Sequence, residues 1–383
     1  MVFMKSAAIV RLIFLAVLLQ PIAGFGFETD QYNLPPVPLA DIGVEVSEYV
    51  EENVRKAALK LNAEIIYRQE CIDDVTPRNN KCSSRAADLS RLNYLRSEAA
   101  IAREVYRGLG AGIIATTKSG TWMDSHTFRS QPARYKSGFR NSIFLIVPTN
   151  YLTISPTVNL YGTLLGTDKI AHVFQQGYTY YTIYNKAIAS GLTPDAASKK
   201  AVSWGRLSEN TYYGTLVSGV FSNADLYANY AGLKFYQGLT QPIRIGENTR
   251  SPTLLIKDGV WILNEISIQD NSLIKPFFTD HMNEALNPSI FFPGLRSFVR
   301  KVVKKQNCPA WRKTYPKLTA ANFEASSKDL ELWNGEDYGF KSSRKFVTIA
   351  NTCFGPDAYL PTSSLASSVA SYTFRRDSRI PAL

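Results

Sequence analysis

The sequence predicts a mainly α, multi-helix globular domain with a small β-hairpin insertion. Three observations carry this. Apolar residues recur at helical spacing in several segments that open on capping residues. A single Asp-Gly pair, Asp258-Gly259, stands between two apolar runs and signals a tight hairpin. Beyond the first residues no apolar run reaches about 18, the length a spanning helix needs, while 45% hydrophobic content is ample for a core.

Residues 1–26 carry Lys5 and Arg11 and then the run LIFLAVLLQPIAGFG. A basic start, a short apolar stretch and small residues at its end form the pattern of a secretory signal peptide, with cleavage expected near Gly24 or Gly26. An uncleaved N-terminal anchor is the alternative. No Cys follows the run, which argues against a lipoprotein anchor. The expectation is an exported protein of the periplasm or cell surface, or a secreted one.

Residues 27–120 form the expected N-terminal helical part. TDQYNLPPVPLADIG reads as an extended, proline-rich lead-in, followed by helices over 47–69 and 86–108. In the second, Leu92, Leu95, Ala99, Ala102 and Tyr106 share a face, and Glu98 falls among apolar neighbours. Residues 121–165 read as Arg- and aromatic-rich connecting loops. Residues 166–240 hold three helices, 168–189, 194–213 and 223–237, with Thr167, Pro194 and Ser222 at their starts. Residues 241–353 supply the hairpin and two further helices, 276–286 and 295–305, and residues 354–383 read as a flexible tail. There is no internal repeat.

Four cysteines suit an oxidising compartment. Pairing Cys71 with Cys82 and Cys308 with Cys353 is the simplest of the three possible connectivities. No Cys/His spacing points to structural zinc.

Candidate chemistry centres on GTDKIAHVFQQGYTYY. On a helix Asp168 and His172 stand one turn apart and Gln175 or Gln176 continues the face, a stack that can orient a histidine tautomer, hold a metal or move a proton. Asp168 also suits the first turn of a helix on dipole grounds. In SNADLYANYAGLKFY, Asp225, Asn229, Gly232 and Tyr236 share a face, and Gly232 suggests close approach of another backbone. Asn229 is a poor helix former in a helix interior. Glu209 lies between these segments, one turn after Arg206. The three helices are expected to bring His172, Glu209, Asp225 and Asn229 into one polar cluster, because buried polar groups need partners. His126, Glu98, His281 and Glu284 are further candidates to complete it. HExxH, GxSxG and P-loop patterns are absent.

The order Asp168-Lys169-x-x-His172, then Glu209, then Asp225-Leu226-x-x-Asn229-x-x-Gly232 resembles the VanZ-like group and its small exported relatives. The resemblance spans residues 166–236 and implies a polar cluster where three helices meet, with no particular reaction attached. The sequence departs from the group in three ways. Tyr212 stands where the group has Gln, an Arg is missing between Asn210 and Ala224, and Gln175, Gln176, Asn185, Lys199 and Lys200 give the helices a soluble character.

The formal charge is +11, or +9 without Lys5 and Arg11. A basic exported protein is drawn to anionic phosphate or carboxylate polymers, here an envelope lipid or cell-wall polymer rather than nucleic acid. RSFVRKVVKK concentrates that charge in Arg300, Lys301 and Lys304 and their neighbours; a solvated helix face is the ordinary meaning of such a run. Three functions follow. One is a non-catalytic envelope protein with an internal Asp/His/Glu network and a basic binding surface, for which Lys169, Gln176, Asn229, His126, Arg300, Lys301 and Lys304 are the binding candidates. Another is an exported hydrolase or transferase acting on an envelope lipid or wall component through Asp168, His172, Glu209 and Asp225. A membrane-associated assembly factor, meeting lipid peripherally, is a third. The sequence leaves metal, cofactor and oligomeric state open.

Overall fold

A computed structural model describes residues 28–354 apart from 74–81, 113–115, 212, 246–247, 266–272, 288, 320 and 323–345. The expected leader and the tail beyond Phe354 lie outside the described residues.

The architecture is mainly helical, with sheets of two or three short strands. A long helix, α1 (Gly43–Ile72), packs against α2 (Arg85–Leu95) and α3 (Glu98–Leu109). The sequence reading of one helix over 86–108 is corrected here. Ser97 adopts an extended backbone and its side chain accepts from the Ala100 amide, so a new helix is capped where the old one stops. Glu98 consequently sits in the exposed first turn of α3 and accepts from Gln241, not in an apolar face.

The stretch 121–165 is also more ordered than the expected loops. It includes most of α4 (Lys118–Ser125), then α5 (Pro148–Leu152), β2 (Ile154–Ser155) and a hairpin of β3 (Thr157–Leu160) with β4 (Thr163–Gly166). Out of that hairpin runs α6 (Thr167–Ala171), a π turn over His172–Gln176, and α7 (Gly177–Ala189). Thr167 does not cap this helix; Gly166 occupies the cap position, while the Thr167 amide is held by the Pro156 carbonyl.

The helix α8 (Pro194–Asn210) starts at Thr193, whose side chain accepts from Ala196, and stops short of the expected residue 213. The helix α9 (Asn223–Gln237) has the expected bounds, and Ser222 caps it through the Asp225 amide. Helix α7 packs on both α8 and α9. After β5 (Val220–Phe221), β6 (Ile243–Ile245) and β7 (Asn248–Arg250), the Asp-Gly hairpin forms as read. In it β8 (Leu254–Lys257) pairs with β9 (Val260–Leu263), with Asp258 and Gly259 at φ 51° and 80°.

No α-helix forms over 276–286. Short 3-10 turns stand at Lys275–Phe277 and Asp280–Met282 instead. The Asn283 side chain holds the Ala285 amide and the Asn287 side chain holds the His281 carbonyl, so side chains take the place of a helical ladder. Beyond β10 (Ser289–Phe291) come α10 (Pro293–Val302), a π turn at Val303–Asn307 and α11 (Cys308–Thr314). The strand β11 (Phe346–Val347) pairs with β10, which also pairs with β5. Both expected disulfides are present, Cys71–Cys82 and Cys308–Cys353, with Cα separations of 5.7 and 5.1 Å.

Two apolar cores result. One is built on α1, α3, α6 to α9 and the Trp261 hairpin; the other gathers Tyr32, Phe144, Phe291, Val299, Trp311 and the Cys308–Cys353 bridge. The expected lead-in is extended, but it is not peripheral. Residues Glu28, Thr29, Asp30, Gln31 and Tyr32 are all buried, although four of the five are polar. Each is held by distant chain: Glu28 by Ser218, Thr29 by Asp168, Asp30 by Ser137, Gln31 by Leu164 and Tyr32 by Val347. Glu28 and Thr29 form β1, parallel to β2.

Candidate functional site: a buried lysine among carboxylates

Helix geometry places Asp168 and Lys169 at the start of α6, where β4 delivers them into the interior. The Lys169 side chain is fully buried. Its ammonium lies 2.7 Å from Asp168 Oδ2 and 2.5 Å from Asp225 Oδ1, and it donates to Glu284 Oε1. The Asp168 and Glu284 contacts are hydrogen bonds; the Asp225 contact is an ion pair without hydrogen-bond alignment. An ammonium has three protons. Three carboxylates therefore surround it on the protein side.

Surrounding donors fix Asp168, Glu284, Glu209 and Glu28. Thr29 Oγ1 donates to Asp168 Oδ1 at 2.7 Å. Ser222 Oγ donates to Glu284 Oε1 at 2.7 Å and Ser289 Oγ to Glu284 Oε2 at 2.8 Å, while Gln31 Oε1 accepts the Glu284 amide. Ser222 also links the layer above: its own amide donates to Glu209 Oε1 at 2.9 Å. Ser218 Oγ donates to Glu28 Oε1 at 2.6 Å. Glu28, Asp225 and Glu284 have one oxygen each within 4.8 Å of one another. This carboxylate set has the chemistry of a hard-cation site, and a cation there would compete with Lys169 for Asp225 and Glu284.

His172 stands at the cluster's edge, its side chain 15% exposed. Nδ1 is 2.9 Å from Asn229 Oδ1 and Nε2 is 3.5 Å from Asp225 Oδ2. With the amide oxygen of Asn229 as acceptor, Nδ1 carries a proton, which leaves Nε2 as the nitrogen where a second proton would face Asp225. The π turn begins at this histidine. Its wider i→i+5 geometry leaves the Phe174 carbonyl to the Tyr236 hydroxyl at 2.8 Å. Gly232 and Gly177 let α9 cross against that turn: a Cβ on Gly232 would fall 2.0 Å from the Val173 oxygen.

Five buried carboxyl groups share this region with one lysine, so not all can be charged. Burial pushes Glu28 well above its ordinary value, and the negative charges of Glu284 and Asp225 add to it. Burial also drives Glu209 well up, with Asp225 next. Glu284 is raised, by burial first, and Lys169 offsets part of that. For Asp168 burial acts upward, yet Lys169 and His172 outweigh it and the carboxyl is held below its ordinary range. Burial alone would lower Lys169, but Asp168, Asp225, Glu284 and Glu28 together hold it well above the usual lysine value. Lys169 is thus a fixed internal cation, with Asp168 its most firmly ionised partner.

Of the residues singled out from sequence, Asp168, Lys169, His172, Asp225 and Asn229 meet directly, and Glu209 joins through Ser222. Glu284 completes the lysine's shell. Gln176 is buried on the π turn, and its Oε1 has no hydrogen-bond partner among the described residues. His126 belongs elsewhere, pairing with Glu45 at 2.7 Å and stacking on Trp122. His281 is partly buried against Tyr227, and desolvation lowers it to about 3. Arg300 donates to the Phe346 carbonyl, whereas Lys301 and Lys304 are exposed. Sequence reasoning missed Glu28, Thr29, Gln31, Ser218 and Ser289; nothing in their local spacing marks them.

No family model matches the chain, and neither a curated protein nor a solved structure matches it.

Proposed function

We infer that the protein is an exported cell-envelope protein in which the Lys169 cluster is an internal clasp, while the basic exterior engages anionic envelope material. The observation that carries this is the complete burial of Lys169, whose ammonium meets Asp168, Asp225 and Glu284. A lysine so enclosed is shut off from solvent and held by carboxylates of the protein itself. Two intramolecular disulfides fit an oxidising compartment, and no helix among the described residues is long and apolar enough to cross a membrane. The similarity of residues 166–236 to the VanZ-like group agrees with a cluster shared by three helices.

One observation favours a second reading, an exported hydrolase or transferase. His172 is partly exposed, starts a π turn and sets Nε2 3.5 Å from Asp225 with Nδ1 on the Asn229 amide oxygen, so that a proton taken up at Nε2 would sit beside a carboxylate. Replacing His172 by Ala separates the two. As a clasp member its loss leaves Asn229 and Asp225 short of a partner and costs about 1 to 3 kcal/mol of stability, with binding of anionic wall fragments retained. Turnover of phospholipid or wall fragments by the wild type, abolished in His172→Ala at an unchanged urea midpoint, would overturn the clasp reading in favour of the enzyme.

A further inference from the structure

We propose that the face formed by the 214–219 loop, the start of α10 and the segment around α5 docks on an anionic lipid bilayer surface. The inference rests on the envelope reading above and names the surface and the partner.

Three separated segments are pinned together here. The Asn150 side chain donates to the Ser218 carbonyl at 2.5 Å, and the Phe292 amide donates to the Gly219 carbonyl at 2.8 Å. Around these bonds stand Ile146, Leu152, Leu216, Val217 and Phe292, each between 50% and 74% exposed. Single exposed apolar side chains are ordinary; five on three tied segments form a patch. Leu216 and Val217 occupy a turn whose backbone is closed internally by bonds from Leu216 to Thr211 and from Val217 to Gly214. Their side chains are presented, not tucked.

Charge identifies the partner. Segments 136–153, 211–221 and 289–307 hold seven Lys and Arg and no Asp or Glu. Lys136 lies over the Tyr151 ring, which also meets Phe139, and Arg140 follows on the same segment. On α10, Arg296 stands one turn beyond Phe292 and Lys301 follows, and Lys304 and Lys305 lie on the π turn after it; the three lysines are exposed. An apolar centre with a rim of one sign is what an interfacial lipid contact needs: apolar side chains enter the headgroup region while lysines and arginines meet phosphate. A soluble anionic polymer would satisfy the rim and leave the centre unused.

The test uses the purified exported protein with vesicles of phosphatidylcholine alone or with phosphatidylglycerol added, read by co-sedimentation. The wild type is expected to bind the anionic vesicles in a salt-sensitive manner, and Leu216→Ser with Phe292→Ser to weaken that binding about tenfold. Lys301→Glu with Lys305→Glu should weaken it comparably, with thermal melts unchanged in both variants. Undiminished vesicle binding by both variants would overturn the assignment of this face and leave the envelope reading standing. Binding to soluble polyphosphate without binding to vesicles would do the same. Failure of the wild type to bind either probe would overturn both. A concentration-dependent dimer abolished by Leu216→Ser and Phe292→Ser would assign the face to a second copy of the chain and end the lipid proposal.

Discussion

Lys169 illustrates how a buried charge is kept. Taking an ammonium out of water costs several kcal/mol, and attraction to carboxylates offsets that only when the geometry is close and the remaining lone pairs are filled. The first condition holds through Asp168, Asp225 and Glu284, and the second is met for Asp168 and Glu284 by the hydroxyls of Thr29, Ser222 and Ser289. Lys169→Met should therefore destabilise the fold by about 3 to 5 kcal/mol in urea unfolding, because it strands the carboxylates instead of replacing the whole set. Glu28 behaves in the opposite sense. Its pKa is raised well above 4.5 in the folded protein, so the native state holds a proton that the unfolded chain releases. Stability contributed at low pH is then lost as pH rises from about 4.5 through the folded value. Asp168, held low, works the other way, and its contribution is lost only as pH falls through its lowered value. Glu28→Gln should be more stable than wild type at pH 8 by about 1 to 3 kcal/mol and close to it at pH 4. Urea midpoints at the two pH values check this, and parallel pH profiles for the two proteins would count against it.

At the scale of elements, the crossing of α7 and α9 depends on missing side chains. A Cβ on Gly232 would also come within 2.6 Å of the Gly177 Cα, and both obstacles are backbone, so neither can turn aside. Gly232→Ala should cost about 1 to 3 kcal/mol by overpacking, whereas Gly138→Ala, with open space around it, should be close to neutral. Thermal melts of the pair provide the comparison. The sequence made this crossing legible because Gly232 lies on the same helical face as Asp225 and Asn229. The π turn was not legible: HVFQQ has an unbroken helical pattern, and the extra residue is stabilised by Tyr236, a partner 62 positions from Phe174. For residues 276–286 the apolar spacing suggested a helix that side-chain bonds from Asn283 and Asn287 replace. The break at Ser97, by contrast, was present in the sequence as a capping residue overlooked within a periodic run.

Across the whole molecule, the candidate site is assembled from parts that no local pattern joins. Asp168, His172, Glu209 and Asp225 could be read because helical spacing groups them; Glu28 could not, because it sits in an extended stretch with no period and meets residues 218 and 284. The cysteines were legible by parity and proximity alone. The bridges close loops of different size, with sequence separations of 11 and 45 residues. In the chain-entropy account, opening them costs about 3 and about 4 kcal/mol respectively. Replacing Cys308 and Cys353 by Ser should thus lower the urea midpoint more than replacing Cys71 and Cys82. Equal effects would show that the smaller loop is constrained by more than its bridge.

The buried polar strap at residues 28–32 also bears on the order of events in folding. Glu28 needs Ser218, Gln31 needs Glu284, and the Tyr32 hydroxyl needs the Val347 carbonyl, 315 positions away. Contacts of such separation are slow to form, since a long loop must close before any contact rewards it. As the chain emerges from its N-terminus, its first buried segment waits for nearly the last. Glu28, Thr29, Asp30 and Gln31 find their partners at positions no later than 284, whereas the Tyr32 hydroxyl lacks its acceptor until Val347 has been made. The strap's last contact, from Tyr32 to β11, can therefore form only once residue 347 has been made, later than the contacts that enclose Lys169.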